Sequence, residues 1–366
     1  MLRQDWGFDY TATKLADAAD KKKVFHQERL DWWKAKRIEV MTTIRSEGLE
    51  IDEKIAARGK SALVSPFEFC VLGGSNGEPP CGDTCTMLKT ESDLRRAANI
   101  IANADALVIA AGAGIGVDSG LPDFRGNYGF WKAYPALKQV AIDFMDIANP
   151  RSFETDPELA WGFYGHRLNL YRETVPHAGF QLLRTWAENK PMGWRVFTSN
   201  VDGHFQKSGF VESGIHECHG SIRHLQCLHS CTDAIWPADE LYPQVDAQTC
   251  RLIGEAPKCP HCGGLARPNV MMFGDGGWNG NRTDAQGQME TRWLRNLKAK
   301  KANIAVIELG AGTAIPSVRY FSHQLLRTHD AKLVRINVRE SDVSTVNEVG
   351  LSMGALEALH RIADRL

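Results

Sequence analysis

Four cysteines in two close pairs are the most specific chemical pattern in this sequence. The pairs are Cys227 with Cys231, and Cys259 with Cys262. Thiolates at such spacings bind zinc in a closed tetrahedral site, which stabilises a small module and leaves no coordination position open for a reaction. His229 and His261 lie inside the pairs and are alternative ligands, although four cysteines suffice. The sequence therefore predicts one structural zinc ion.

Other polar or glycine-rich positions follow short apolar runs. In chain order they are Gly112-Ala113-Gly114, Ser199-Asn200-Val201-Asp202, Gly310-Ala311-Gly312 and Asn337. A glycine turn directly after a strand lets backbone amides approach a diphosphate group closely. The dehydrogenase fingerprint G-x-G-x-x-G is not satisfied, because Val117 occupies its last position. This departure disfavours a hydride-transfer enzyme.

His219, in the segment CHGS, is a candidate general base. A histidine with an ordinary pKa near 6.5 accepts a proton at neutral pH, although a lone histidine is more often structural.

The elements that must position these residues have the pattern of an α/β protein. Apolar runs at residues 106–111, 195–198, 304–309 and 332–338 alternate with segments of helical length. Such runs are typical of buried parallel strands, and their alternation with helices predicts a Rossmann-like, doubly wound sheet. Open parallel sheets bind ligands at the carboxyl edge of their strands, where the polar positions lie.

Three segments carry a family resemblance. Residues 112–126, GAGIGVDSGLPDFRG, are similar to the NAD-binding signature of sirtuins, GAGxSxxSGIPDFR, with Gly116 in place of serine. Residues 198–203, TSNVDG, resemble the family's TQNIDG, with Ser199 in place of glutamine. Residues 218–221, CHGS, resemble its HG motif. The resemblance covers about residues 90–366 and says nothing about the first ninety.

This resemblance implies roles for the matching residues. His219 is the expected general base, and Asn200 and Asp202 organise the nicotinamide ribose and its leaving group. Phe124 shields the reactive sugar carbon, and Arg125 lies near the ribose and phosphates. The expected NAD-binding residues are Gly112, Ala113, Gly114, Asp123, Phe124, Arg125, Ser199, Asn200, Asp202, Gly310, Ala311, Gly312, Asn337 and Arg339.

Two further matches concern the substrate. Residues 267–275, RPNVMMFGD, resemble the family's RPxVVxFGE segment, which implies that Val270, Phe273 and Gly274 contact an acylated peptide by β-augmentation. Tyr164 and Arg167 resemble the YxxR pair of class III sirtuins, which act on succinyl- and malonyl-lysine. The alternative is that Tyr164 is core packing and Arg167 a solvated or ion-paired surface residue.

The implied activity is NAD-dependent protein lysine deacylation, of acetyl or of succinyl and malonyl groups, with release of nicotinamide and O-acyl-ADP-ribose. One rival is an NAD glycohydrolase or ADP-ribosyltransferase on the same fold, since Gly116 and Ser199 alter residues close to the bond that breaks. Another is a non-enzymatic NAD-sensing or zinc scaffold. The combination of Asn200, Asp202 and His219 argues against it, because a sensor needs no general base.

Composition argues against two classes of partner, nucleic acid and membranes. The formal net charge is -1, so nucleic acid is not the default ligand. No secretion signal and no run of 18 apolar residues are evident, which predicts a cytoplasmic protein without membrane contact. We expect an amino-terminal helical extension over residues 1–60, which either binds a partner or packs on the catalytic domain, and a linker over 61–88. A catalytic domain over 89–366 follows, with a zinc module inserted at about 222–268.

Overall fold

The computed structural model describes residues 82–122 and 126–366, with side chains for 88–122 and 129–366. The expected extension over 1–60 and most of the expected linker lie outside the described residues. A compact unit spans residues 81–366. Its first helix covers Gly82–Ala102, so the boundary expected near residue 88 falls inside a helix.

Eleven strands occur in the described ranges. They are β1 (Ala106–Ala111), β2 (Trp194–Thr198), β3 (Ile215–Glu217), β4 (Gly220–Cys227), β5 (Trp236–Pro237), β6 (Gln244–Asp246), β7 (Arg251–Ile253), β8 (Ala266–Val270), β9 (Ile304–Leu309), β10 (Lys332–Ile336) and β11 (Glu348–Leu351).

The α-helices of the same ranges are α1 (Gly82–Ala102), α2 (Gly126–Ala133), α3 (Pro135–Gln139), α4 (Phe144–Ile147), α5 (Pro150–Thr155), α6 (Pro157–Glu173), α7 (Gly179–Glu188), α8 (His204–Lys207), α9 (Asn281–Ala299), α10 (Ser317–His329) and α11 (Ala355–Ala363). A 3-10 helix, Ala113–Ser119, follows β1 directly.

Six parallel strands form the central sheet, in the order β11-β10-β9-β1-β2-β3. The four strands expected from the sequence are all present, and the doubly wound fold is confirmed. Strand order reverses beside β1, because the chain moves outward through β2 and β3 and then returns to β9 on the other side. A ligand crevice forms at such a switch point, outside the carboxyl ends of the strands.

Helices cover the central sheet on both faces. Alternate residues of β1 point to opposite faces, so Leu107 and Ile109 pack with α1, α7 and α11, whereas Val108 packs with α9 and α10. Burial on both faces explains why β1 and β9 read as wholly apolar or nearly apolar runs.

A second core lies away from the central sheet. It joins helices α2 to α6 to the antiparallel sheet β5-β4-β8 and the β6–β7 hairpin, which together span the expected zinc module. Packing between them is close, because a Cβ at Gly162 of α6 would lie 2.0 Å from the carbonyl oxygen of Cys250. The zinc module therefore shares its core with the helical segment 126–173, which the sequence reading left separate.

Among the helices of the described residues, we find none whose length and apolar composition would suit a passage through a bilayer.

Candidate active site

Two glycine turns meet at the carboxyl edge of the sheet. The N–H of Gly114 donates to the carbonyl of Gly310 over 3.0 Å. Gly310 has a φ of 59°, and a Cβ there would lie 2.4 Å from the backbone of Gly114. At Gly112 a Cβ would lie 2.9 Å from the Cα of Ala311. Only glycine permits this contact, so the turns after β1 and β9 form one continuous surface.

Two asparagine side chains hold these turns. Asn200, after β2, donates from Nδ2 to the carbonyl of Gly112 over 3.2 Å. Asn337, after β10, donates from Nδ2 to the carbonyl of Ala311 over 2.8 Å. Asp202 accepts a 2.9 Å hydrogen bond from the N–H of His204. The residues expected to bind NAD from four different strands therefore lie along one edge, as a dinucleotide requires.

Three expected NAD-binding residues lie outside the described residues: Asp123, Phe124 and Arg125. Arg339 is exposed, and its backbone N–H donates to Oδ1 of Asn337.

The loop that ends at residue 122 is held by His177, which carried no sequence signal. The N–H of His177 donates to Oγ of Ser119, and its Nε2 lies 3.0 Å from the carbonyl of Ile115. At Gly116, where the resembling signature has serine, a Cβ would lie 2.9 Å from Cδ1 of Leu121. A serine here would therefore displace the Leu121 side chain, whereas glycine fits without this shift.

His219 lies between the cofactor edge and the segment expected to bind peptide. Its carbonyl accepts a 2.9 Å hydrogen bond from the N–H of Met271, and its Nε2 lies 3.0 Å from Oγ of Ser317. Burial lowers the pKa of His219, against a smaller raising effect of a hydrogen bond between its ring and the Ser199 backbone carbonyl. The imidazole is therefore neutral at pH 7 and can accept a proton.

The expected peptide-binding segment begins in β8 and ends in a tight turn. Val270 pairs with Gly220 of β4, and the N–H of Phe273 donates to the carbonyl of Ala148. Gly274 is exposed and has a φ of 67°.

A buried ion pair anchors this segment. Arg267 and Asp275 form a two-pronged pair, with N–O distances of 2.6 and 2.8 Å, and both side chains are excluded from solvent. The carboxylate of Asp275 also accepts from the N–H groups of Met272 and Gly277. The buried carboxylate of Asp275 thus holds the backbone of the turn at residues 272–277 in place.

Tyr164 and Arg167 converge, as their helical spacing predicted. The guanidinium carbon of Arg167 lies 5.8 Å from the centre of the Tyr164 ring, and both residues are buried. The hydroxyl of Tyr171 accepts from Nε and Nη2 of Arg167 at 2.9 and 2.6 Å. Arg167 is therefore no surface residue, whereas Tyr164 does contribute to the aromatic core through Phe153 and Phe163.

Phe144 connects this arginine to the peptide segment. Its ring centre lies 5.9 Å from that of Phe273 and 6.0 Å from the guanidinium carbon of Arg167. Phe144 and Tyr171 carried no sequence signal, because their roles depend on packing between separate helices.

The four predicted zinc ligands come together. Their Sγ atoms all lie within 4.8 Å of one another, with Cys227 3.8 Å from Cys262 and Cys231 3.6 Å from Cys259. Zinc–sulfur bonds of about 2.3 Å in a tetrahedron place sulfurs about 3.8 Å apart, so the cluster fits zinc. His229 and His261 do not belong to it.

The sequence profile of the Sir2 family matches residues 112–291, which contain the first glycine turn, His219 and all four cysteines. The chain carries a Sir2 family domain.

Named relatives agree with this sirtuin assignment. An "NAD-dependent protein deacylase" of Pyrococcus furiosus is 29% identical over 75% of this chain and 98% of its own length. The "NAD-dependent protein deacylase sirtuin-5, mitochondrial" of Canis lupus familiaris is 31% identical over 52% of this chain and 62% of its own length.

Solved structures confirm the sirtuin fold. A mutant Sir2 homologue in complex with ADP-ribose matches with a TM-score of 0.53 and 24% identity, over 74% of this chain and 95% of the other. A Sir2 with p53 peptide and NAD+ matches with a TM-score of 0.50 and 22% identity, over 73% and 95%.

Proposed function

We propose that this sirtuin is an NAD-dependent protein lysine deacylase. The observation that carries the proposal is the position of His219. Its backbone carbonyl accepts a hydrogen bond from Met271 in the peptide segment, and its neutral imidazole contacts Ser317 beside the glycine turns. A base in this place lies where a bound dinucleotide and a bound peptide would meet. The names of the relatives support the same activity.

NAD supplies a glycosidic bond whose cleavage releases nicotinamide and leaves a ribose carbon to bond with the acyl oxygen. The chain supplies positioning and a proton acceptor. Asn200 and Asp202 would orient the ribose from the end of β2. His219 would take a proton from a ribose hydroxyl, so that its oxygen can bond to the acyl carbon while the lysine amine leaves. Asn337 with Arg339 would hold the adenosine side, and the turn 310–312 would contact the bound NAD.

We further propose that acidic acyl groups are preferred over acetyl. Arg167 is buried among aromatic rings and keeps its charge, and Tyr171 accepts two of its hydrogen bonds. An acyl carboxylate in this pocket would form a charge-assisted hydrogen bond of about 1.5 to 3 kcal/mol, which corresponds to a preference of roughly 10- to 150-fold. A neutral acetyl group forms no such contact.

Mass analysis of products from NAD and a panel of acetyl-, malonyl- and succinyl-lysine peptides tests the activity. We expect nicotinamide, O-acyl-ADP-ribose and deacylated peptide in equal amounts. Plain ADP-ribose formed without loss of the acyl group would instead identify a glycohydrolase. An ADP-ribosylated protein would identify a transferase, and either result would overturn the proposal.

A further inference from the structure

The hydroxyl of Ser317 is the side-chain partner of the candidate base. Oγ of Ser317 lies 3.0 Å from Nε2 of His219, 98 positions away in the chain. Ser317 is the first residue of α10 and follows Pro316 at the end of the loop that carries the second glycine turn. A hydroxyl can donate to a ring nitrogen only when that nitrogen has no proton.

Ser199 contacts the same imidazole ring. Its backbone hydrogen bond raises the pKa of His219, which is the effect of a carbonyl accepting a ring N–H. When one ring nitrogen donates to a carbonyl, the other is left with its lone pair. The two contacts together favour a proton on Nδ1 and a lone pair on Nε2.

The same turn of α10 also contacts the cofactor edge. The guanidinium of Arg319, two residues after Ser317, donates to the carbonyl of Ala311 at 3.1 and 3.0 Å. Asn337 donates to that same carbonyl. The position of Ser317 is therefore tied to the turn at 310–312 that is expected to bind NAD.

We propose that Ser317 is a positioning residue that holds His219 in the Nδ1-protonated tautomer by donating its hydroxyl to Nε2. In the NAD-free protein the serine engages the lone pair that the reaction uses, and a ribose hydroxyl then takes its place. The catalytic consequence rests on the proposed deacylase function. The tautomer itself does not, and can be measured without turnover.

Among the described residues, few charged groups lie where they could alter the tautomer of His219. The neighbouring Cys218 is a neutral thiol, because burial raises its pKa to about 12. Within that part of the chain, burial and the Ser199 backbone are the causes of the shift in the His219 pKa, and no charged side chain of the described residues contributes to it.

NMR of the full chain with isotope-labelled histidine tests the proposal. The His219 signals are assigned from their loss in His219→Asn. In the wild type we expect the Nδ1-protonated form. Ser317→Ala should give a mixture of tautomers and raise the His219 pKa by about 0.4 to 1 pH unit, because a hydrogen bond to the neutral form is lost. Ser317→Thr, which keeps the hydroxyl, should restore the wild-type values.

Ser322→Ala is the matched control, since Ser322 lies on the same helix and its hydroxyl donates to the carbonyl of Val318. It should leave the His219 tautomer unchanged. A wild-type His219 protonated on Nε2 would overturn the proposal, as would a tautomer and pKa unaffected by Ser317→Ala in folded protein. If deacylation is absent but the tautomer responds as expected, the proposed function fails and the positioning role stands. If deacylation occurs without this response, only the positioning role fails.

Discussion

Burial sets the charge of the groups around His219. It lowers the pKa of the imidazole and raises that of the Cys218 thiol, so both are neutral at pH 7. Burial also raises the pKa of Tyr164 and Tyr171, which leaves two neutral phenols beside the charged Arg167. Arg167 therefore keeps its positive charge beside phenols that carry none.

The activity should persist to lower pH than an exposed histidine would allow. Because the neutral form of His219 is favoured, the acid limb of the pH profile of kcat/KM should have its midpoint below 6.5. His219→Ala should lower kcat about 10²- to 10⁴-fold while leaving the fold and the zinc content intact. Steady-state kinetics from pH 5 to 8 measure both effects. A variant within about tenfold of wild type would show that His219 is not the base.

Arg167→Met should reverse the acyl preference. The change removes the cation but keeps an apolar side chain of similar length, so succinyl-peptide should lose about 10- to 150-fold in kcat/KM while acetyl-peptide loses less. Tyr171→Phe removes the hydroxyl that holds the guanidinium and should weaken the preference in the same direction. Equal use of acetyl- and succinyl-peptides by the wild type, unaltered by Arg167→Met, would contradict the role of this arginine.

The functional groups that could be predicted from the sequence are those that short motifs mark. The four cysteines and the convergence of Tyr164 with Arg167 follow from local spacing. The contacts of His219 with Ser317 and of Phe144 with Phe273 join residues about 100 positions or more apart, and nothing in the local pattern marks them. Contacts that depend on packing between distant segments could therefore not be predicted from the sequence.

At the scale of elements, the Arg267–Asp275 pair should contribute strongly to the stability of the segment expected to bind peptide. Asp275→Asn removes the negative charge and leaves a buried guanidinium without its counter-charge, at a cost of about 3 to 5 kcal/mol in the free energy of unfolding. Chemical denaturation of the full chain measures it.

Asp239→Asn is the control for this loss, because Asp239 pairs with Arg223 at 3.5 Å on the exposed surface. It should cost no more than about 1 kcal/mol. Similar losses for the two variants would show that the pair inside the turn contributes no more than a surface pair.

The elements of the sheet were predictable to different degrees. The predicted bounds of β1 and β9 are confirmed because these strands are buried on both faces and have little polar interruption. The short strands β3 and β11, of three and four residues at the two edges, carried too few residues for a pattern. The packing of α6 against the β6–β7 hairpin depends on Gly162, whose role only the fold reveals.

At the scale of the whole molecule, zinc should stabilise one core and not the other. Cys227 is the last residue of β4, in the antiparallel sheet that shares a core with helices α2 to α6, whereas the parallel sheet has its own helical layers. Chelation should therefore increase amide hydrogen exchange in β4 and β8 well before β1 and β9. Uniform loss of protection would contradict this independence.

Cys250→Ser is the metal control, because Cys250 is buried in the same core but lies outside the four-cysteine cluster. Elemental analysis should give one zinc per chain for this variant and for the wild type. Cys259→Ser should lose the metal.

The contact between the two glycine turns has a consequence for folding kinetics. Gly114 and Gly310 are about 200 positions apart in the chain, so their contact closes a very long loop and can form only after both halves of the sheet have associated. The edge expected to bind NAD is thus among the last features to appear during folding. Partly folded chains would present only half of that edge, so NAD should bind the native state alone and raise the thermal midpoint in proportion to the logarithm of its concentration above Kd.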